Sequence, residues 1–203
     1  MKILSVDPGL TGGLAEFDTS IQNDHSGFLG ASLIYTSRIE VKPKKLQLDL
    51  DYSSSKAGKK QYYKSGPNKG KPKMKLKTPA KYKKELDTKN LFKLFNKQDV
   101  IVIEQQNPRP GNSAISSAST MKNYGKLLAL AELSDAKIVH VSPTVWKKHF
   151  DLIVSADQKK AMSQKDYKNM SIETAYKLSE FKTSYDGISD AICIGFWYIL
   201  SSK

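Results

Sequence analysis

The sequence predicts an α/β domain in which a mixed five-stranded sheet is flanked by helices. Five short runs that are apolar or alternate in polarity mark the strands, and runs with helical spacing come before and after the fourth strand. The first three strands follow one another without helices, which predicts an antiparallel meander. A length of 203 residues with 39% hydrophobic content suits one core. We therefore expect a single domain over residues 1–203, with a basic flexible insertion at 42–80.

Turn residues, caps and changes in composition delimit each element. The strands are predicted at 3–6, 13–18, 31–39, 100–104 and 137–141. The helices are predicted at 81–97 with Asp87 capping the second half, at 113–133, from Ser142-Pro143 to 150, in the latter part of 155–178 with Asp157 as cap, and at 186–200. Small residues along 113–133 indicate either tight packing on the sheet or a face shared with a second subunit.

The charge of the chain predicts a polyanionic partner. The formal net charge is +13 and the pI is about 9.6, so nucleic acid is the leading partner and an anionic membrane surface is the second. Fifteen lysines fall between residues 42 and 84. This run is typical of a disordered, solvated loop, and we expect it to contact phosphates when substrate is bound. The predicted nucleic-acid contacts are Lys59, Lys60, Tyr62, Tyr63, Lys64, Lys69, Lys71, Lys73, Arg109 and Lys147.

A membrane span, a signal peptide and thiol chemistry are not expected. No apolar run is long enough to span a bilayer, and Asp7 interrupts the apolar start before a signal peptide could form. Cys193 is the single cysteine and lies in the apolar run AICIGFWYIL, which predicts a small buried side chain.

Four carboxylates lie at the ends of predicted strands or on one face of the last predicted helix. Asp7 follows the first strand, Glu104 ends the fourth, and Asp186 and Asp190 stand one turn apart on one face of the last helix. Hard cations such as Mg²⁺ and Mn²⁺ prefer oxygen ligands, and two ions about 3.5–4 Å apart support in-line displacement at phosphorus. The competing interpretation is structural: Asp-Pro-Gly is also turn chemistry, and a helix N-terminus favours an acid at 186.

The chain resembles the RuvC-type Holliday junction resolvases of the RNase H-like superfamily, particularly the phage and viral branch. The matching segments, in family order, are SVDPGLTGG, VIVIEQQ, SPTVWKK, ADQKK and DGISDAICIG. The resemblance implies an RNase H-like fold and a Mg²⁺-dependent enzyme, with Mn²⁺ as a substitute, that cuts four-way DNA junctions as a homodimer in recombination and repair. It also implies a cytoplasmic location, in a bacterium or in the host cell of a phage or virus.

The resemblance also assigns residue roles. It implies that Asp7, Glu104, Asp186 and Asp190 are catalytic metal ligands, and that Lys159 contacts DNA or assists chemistry. The bacterial enzymes space the last two acids three residues apart, whereas here they are four apart, with Gly187 between them. The family's junction-wedging aromatic is replaced by Gln105, Gln106 and Asn107, so the tyrosines of the basic insertion are expected to open the junction.

Other functions remain open at the level of sequence. Within the nuclease class, the substrate could instead be flaps, forks or RNA–DNA hybrids. An actin- or hexokinase-like phosphate-binding domain would use DPGLTGG for a nucleotide, but it needs a second half with a second phosphate loop. A non-enzymatic DNA-binding module would explain the lysines and leave the four acids unexplained.

Overall fold

Seven strands and six helices form within the residues that the structure, a computed structural model, describes, which are 1–21, 24–41, 81–108, 111 and 113–202. The strands are β1 (Lys2–Val6), β2 (Gly13–Asp18), β3 (Phe28–Leu33), β4 (Thr36–Val41), β5 (Lys81–Leu86), β6 (Val100–Glu104) and β7 (Lys137–Val141). The helices are α1 (Thr88–Phe95), α2 (Ala114–Glu132), α3 (Pro143–His149), α4 (Ala156–Ala161), α5 (Gln164–Ser179) and α6 (Asp186–Ser201). None of these helices has the length and apolarity needed to cross a membrane.

Five strands form one mixed sheet in the order β3-β2-β1-β6-β7. β2 pairs antiparallel with both β1 and β3, because the connections between these successive strands are too short for a parallel crossover. β6 pairs parallel with β1 and with β7. The prediction of an α/β fold with a mixed five-stranded sheet is confirmed.

Helices cover both faces of this sheet, which explains why β1 and β6 are apolar almost throughout. On one face Ile3 and Val102 join a buried cluster with Ile192 of α6. On the other face Leu4 and Ile101 join a second buried cluster that includes residues of α1 and α2. The central strands are thus fixed from both sides.

Helix α6 lies directly against β1 and β2. The Ser5 hydroxyl donates a hydrogen bond to the Ala191 carbonyl at 2.6 Å, and Gly195 packs so closely on the Phe17 ring that a Cβ there would clash with it. Cys193 is buried and free, as predicted. Helix α5 packs in turn on α6.

The third strand differs from the prediction of 31–39. β3 ends at Leu33, which pairs with Gly13, the first residue of β2. Beyond Leu33 no β2 residue remains to pair with, and the chain from Thr36 forms β4 with a different partner, β5. The predicted strand therefore joins parts of two strands.

The predicted helix at 81–97 is wrong for its first six residues. Lys81–Leu86 forms β5, because it pairs with β4 and tertiary pairing outweighs local propensity. Asp87 then caps α1 as predicted, accepting a hydrogen bond from the Asn90 amide at 3.2 Å.

The later helices follow the prediction with one correction. Ser113 caps α2, Pro143 occupies the first turn of α3, and α6 begins at Asp186. Asp157 is not the cap of the predicted 155–178 helix. That stretch forms α4 and α5, capped by Ser155 and Ser163, because each serine accepts from the amide three residues on.

The chain divides into two units. One comprises Met1–Ser37 and Leu86–Lys203 and holds the five-stranded sheet with α1–α6. The other is Arg38–Glu85, and its described residues belong to the β4–β5 pair. Residues 42–80, the predicted basic insertion, lie outside the described residues.

Candidate active site

The end of β1 places Asp7 beside the end of β6. These strands run parallel, with Val6 opposite Ile103, so Asp7 and Glu104 follow at the same edge of the sheet. The turn after Asp7 is tight, since a Cβ on Gly12 would clash with the Asp7 carbonyl. Only glycine fits there, and the turn holds Asp7 at the strand end.

Glu104 is buried, and its carboxylate accepts hydrogen bonds from Trp146 and Gln106. The Trp146 indole Nε1 donates a hydrogen bond to Oε1 at 2.9 Å, and the Gln106 amide Nε2 donates to Oε2 at 2.8 Å. Trp146 is itself fully buried on α3. The carboxylate therefore has a defined orientation inside the protein.

The first turns of α6 bring two more acids to this edge. Gly187 lies against the turn after Asp7, and a Cβ at 187 would stand 2.5 Å from the Thr11 carbonyl oxygen and 2.8 Å from Gly12 Cα. No side chain fits at 187, three residues before Asp190. The four-residue spacing of Asp186 and Asp190 thus has a steric reason.

The carboxylates interact electrostatically. Burial raises the pKa of Asp7 well above its ordinary value near 3.8, and the charges of Glu104 and Asp190 raise it further. Burial also raises the pKa of Asp190 to about 6, with smaller increases from Glu104 and Asp186. Such increases are expected where buried like charges share a site.

Two lysines supply positive charge. Lys147 lowers the pKa values of both Asp7 and Asp190, opposing the effect of burial. On α5, Lys168 Nζ lies 2.6 Å from Asp186 Oδ2, and this hydrogen bond and charge raise the pKa of Lys168. The site therefore combines acids with cations that could hold a phosphate.

A cavity of about 460 Å³ opens beside these groups. Its wall carries both charged and apolar side chains. They are Lys147, Leu152, Met162, Ser163, Tyr167, Lys168, Met170, Ser171, Asp186 and Asp190. A cavity of this volume is within the usual range of ligand sites.

The carboxylate oxygens of the four acids suit a hard divalent cation, and the four acids lie within electrostatic range of one another. Among the described residues, no three His, Cys, Asp or Glu side chains form a group that could hold an ion. Asp186 is paired with Lys168, and Glu104 with Trp146 and Gln106. The repulsion between Asp7 and Asp190 is nevertheless what a cation would relieve, so the chemistry of these carboxylates fits a divalent metal.

The structure brings together the four predicted acids and Lys147. Lys159 lies on α4, and its side chain is outside the described part of the structure. The other predicted nucleic-acid contacts are all outside the described residues. They are Lys59, Lys60, Tyr62, Tyr63, Lys64, Lys69, Lys71, Lys73 and Arg109.

Sequence reasoning missed two members of the site. It did not single out Trp146 as a partner of Glu104 or Lys168 as a partner of Asp186. The signal for Lys168 was the Ser163–Asp166 capping box, which marks the start of α5 and puts Lys168 in its second turn. No local signal identifies the partner of Trp146, which is 42 residues away.

Comparison with solved structures finds similar chains, among them two structures of one protein. They are the Thermus thermophilus RuvC structure (10% identity, TM-score 0.48) and T. thermophilus RuvC in complex with Holliday junction substrate (8% identity, TM-score 0.49). Each alignment covers 100% of this chain and 96% of that chain. No protein-family profile and no curated protein sequence matches the chain.

Proposed function

We propose that this protein is a divalent-metal-dependent nuclease that hydrolyses phosphodiester bonds in DNA. The observation that carries the proposal is the convergence of Asp7, Glu104 and Asp190 in a chain of net charge +13, where burial first and then the neighbouring acids raise the pKa values of Asp7 and Asp190. A cationic protein that concentrates buried acids at one edge of its sheet has the groups needed to hold metal ions against a polyanion.

The roles follow from position and charge. Asp7, Glu104 and Asp190 would hold Mg²⁺, and Asp186 would join them when Lys168 leaves it. Bound divalent ions supply activation of the attacking water and stabilisation of the leaving oxygen. Lys147 and Lys168, which line the cavity with Asp186 and Asp190, would bind phosphates of the strand being cut.

The finer proposal is a four-way junction endonuclease of the RuvC-type, RNase H-like group. It is supported by the five motif segments in family order and by the mixed five-stranded sheet that the resemblance implied. The phage or viral branch, the homodimer and a role for Lys159 belong to this finer proposal. The cavity wall is suited to a DNA strand, because Tyr167 and two methionines could contact bases while the lysines contact phosphates.

Cleavage of matched DNA substrates tests both levels of the proposal. Four-way junctions, forks, flaps and RNA–DNA hybrids of one sequence should be incubated with Mg²⁺, with Mn²⁺ and with chelator. We expect metal-dependent cuts, with paired nicks on four-way junctions. Activity in chelator would contradict the nuclease mechanism, and equal cutting of all substrates would contradict junction selectivity alone.

Three isosteric variants test whether Asp7, Glu104 and Asp190 are the metal ligands. D7N, E104Q and D190N should each reduce cleavage by about 10³-fold or more while leaving DNA binding equal or tighter, because each removes negative charge from a polyanion site. Asp157→Asn is the matched control, since Asp157 is exposed on α4 and its carboxylate pairs with Lys160. Loss of activity in the control would indicate a general defect rather than a metal site.

A further inference from the structure

The indole of Trp146 contacts two charged members of the candidate site. Its Nε1 donates to Glu104 Oε1 at 2.9 Å, and Lys147 Nζ stands 5.0 Å from the centre of its ring. The first is a charge-assisted hydrogen bond, and the second lies within the range of a cation–π interaction. One side chain therefore contacts both a predicted metal ligand and a predicted phosphate-binding lysine.

Burial makes Trp146 a rigid support. Its side chain is fully buried in the core cluster that includes Ile192 of α6, and Pro143 in the first turn of α3 limits the backbone that carries it. A buried indole has only two side-chain torsions, both blocked by packing. The Nε1–H group is therefore held at one position.

The second partner of Glu104 is placed differently. Gln106 follows β6 in a segment outside the helices and strands, is partly exposed, and donates to Oε2 rather than Oε1. The buried Trp146 can keep its bond to Oε1 when a cation binds, because a carboxylate oxygen has more than one acceptor site, whereas the partly exposed Gln106 amide has room to move away from Oε2. Oε2 is thus the oxygen on which a cation can replace the Gln106 amide.

We propose that Trp146 is a positioning residue for metal binding, which fixes Glu104 through Oε1 and leaves Oε2 for a divalent cation. The inference rests on the proposed function, because it assumes that Glu104 is a ligand. Neighbours of this kind orient metal ligands, and their loss typically weakens metal affinity by roughly 10- to 100-fold. Trp146 also keeps the Lys147 ammonium beside the acids.

Calorimetric titration of the full chain with Mn²⁺ measures this role without cleavage. W146F keeps an aromatic ring but removes the N–H donor, and we expect Mn²⁺ affinity to fall roughly 10- to 100-fold. Gln106→Ala removes the exchangeable partner, so affinity should stay the same or increase. Trp197→Phe is the matched control, because Trp197 lies on α6, packs on the same core cluster and should leave Mn²⁺ affinity unchanged.

A double variant distinguishes a role of Trp146 in positioning Glu104 from a role in core packing alone. In an E104Q chain, W146F should cause no further loss of Mn²⁺ affinity if Trp146 acts through Glu104, and a second full loss would overturn the inference. If W146F does not fold, β-(3-benzothienyl)alanine at 146 keeps the ring shape with sulfur in place of N–H, and the same loss is expected. Unchanged affinity in either variant overturns the role of Trp146 alone, whereas a wild-type chain that binds no Mn²⁺ overturns the proposed function as well.

Discussion

At the scale of single residues, the candidate site costs stability when no cation is present. Burial and neighbouring acids raise the pKa of Asp190 from about 3.8 to about 6. The folded chain thus binds this proton more tightly than the unfolded chain does. The stability from this group is full below about pH 4, is lost as the pH rises to about 6, and is absent above that.

Asp190→Asn should therefore stabilise the metal-free protein at high pH. An isosteric amide avoids the buried charge, so we expect the free energy of unfolding at pH 8 to rise by about 1–3 kcal/mol, with no gain at pH 4. Thermal melts at both pH values in chelator measure the difference. Asp157→Asn should change neither melt, and an equal gain for D190N at both pH values would contradict a titrating cause.

The acids of the candidate site could be identified from sequence where one strand or helix carries the signal. Asp7 and Glu104 were found because an acid that ends an apolar strand is unusual, and Asp186 and Asp190 because helical spacing puts them on one face. Trp146 was not found, because its partner Glu104 is 42 residues away and only the folded sheet brings them together. Contacts of this kind are absent from local periodicity.

At the scale of elements, the contact between α6 and the turn after β1 sets the geometry of the acids. Gly187→Ala would place a Cβ 2.5 Å from the Thr11 carbonyl oxygen and 2.9 Å from the Gly12 carbonyl carbon, so the helix must move away. We expect a loss of about 1–3 kcal/mol in stability and at least a 10-fold loss in Mn²⁺ affinity. Chemical denaturation and calorimetry measure the two effects.

Gly125→Ala provides the control for this substitution. A Cβ at 125 on α2 meets no described atom within 4 Å, and alanine favours a helix interior by about 1 kcal/mol over glycine. The variant should be as stable as the wild type or more so, with unchanged Mn²⁺ affinity. If G187A binds Mn²⁺ like the wild type, the α6 contact does not set the site.

Helix α2 carries the prediction of a homodimer. The residues of its first turns are mostly exposed, with Ile115 85% exposed, and Leu133 just beyond its end is 72% exposed. Ile115 is therefore the candidate contact residue of the predicted dimer. Sedimentation should show a dimer, and Ile115→Glu should shift it to monomer and replace paired nicks with single nicks. Paired nicks from a protein that sediments only as monomer would contradict this prediction.

Element boundaries were predicted less well than element types. β3 and β4 were merged because both are short and extended, and only the pairing of Leu33 with Gly13, the first residue of β2, shows where β3 stops. β5 was assigned to a helix because its partner β4 is separated from it in the sequence by residues 42–80, so no local pattern shows the pairing. Helices with their own caps, such as α2 after Ser113, were placed to within one or two residues because capping is local.

At the scale of the whole molecule, charge is divided unevenly along the chain. Fifteen of the 33 basic residues fall between residues 42 and 84, whereas the acids of the candidate site come from 7, 104, 186 and 190. DNA affinity and phosphodiester cleavage are therefore expected to depend on different parts of the sequence. The phosphates that the lysines neutralise release counterions, so binding should weaken steeply as salt increases.

Removal of residues 44–77, with a short Gly-Ser linker in their place, tests this division. If the segment makes about four phosphate contacts, the slope of log affinity against log salt should become shallower by roughly 3 to 4 on duplex arms. Mn²⁺ affinity should be unchanged, and cleavage at saturating DNA should survive. If Tyr62 and Tyr63 open the junction, the variant should instead bind junctions but cut them slowly.

A chain of full length with the lysines of residues 44–77 changed to glutamine separates the effect of charge from that of length, because it should show the same shallower slope. Unchanged salt dependence in both variants would show that the segment is a linker and that the phosphate contacts lie elsewhere.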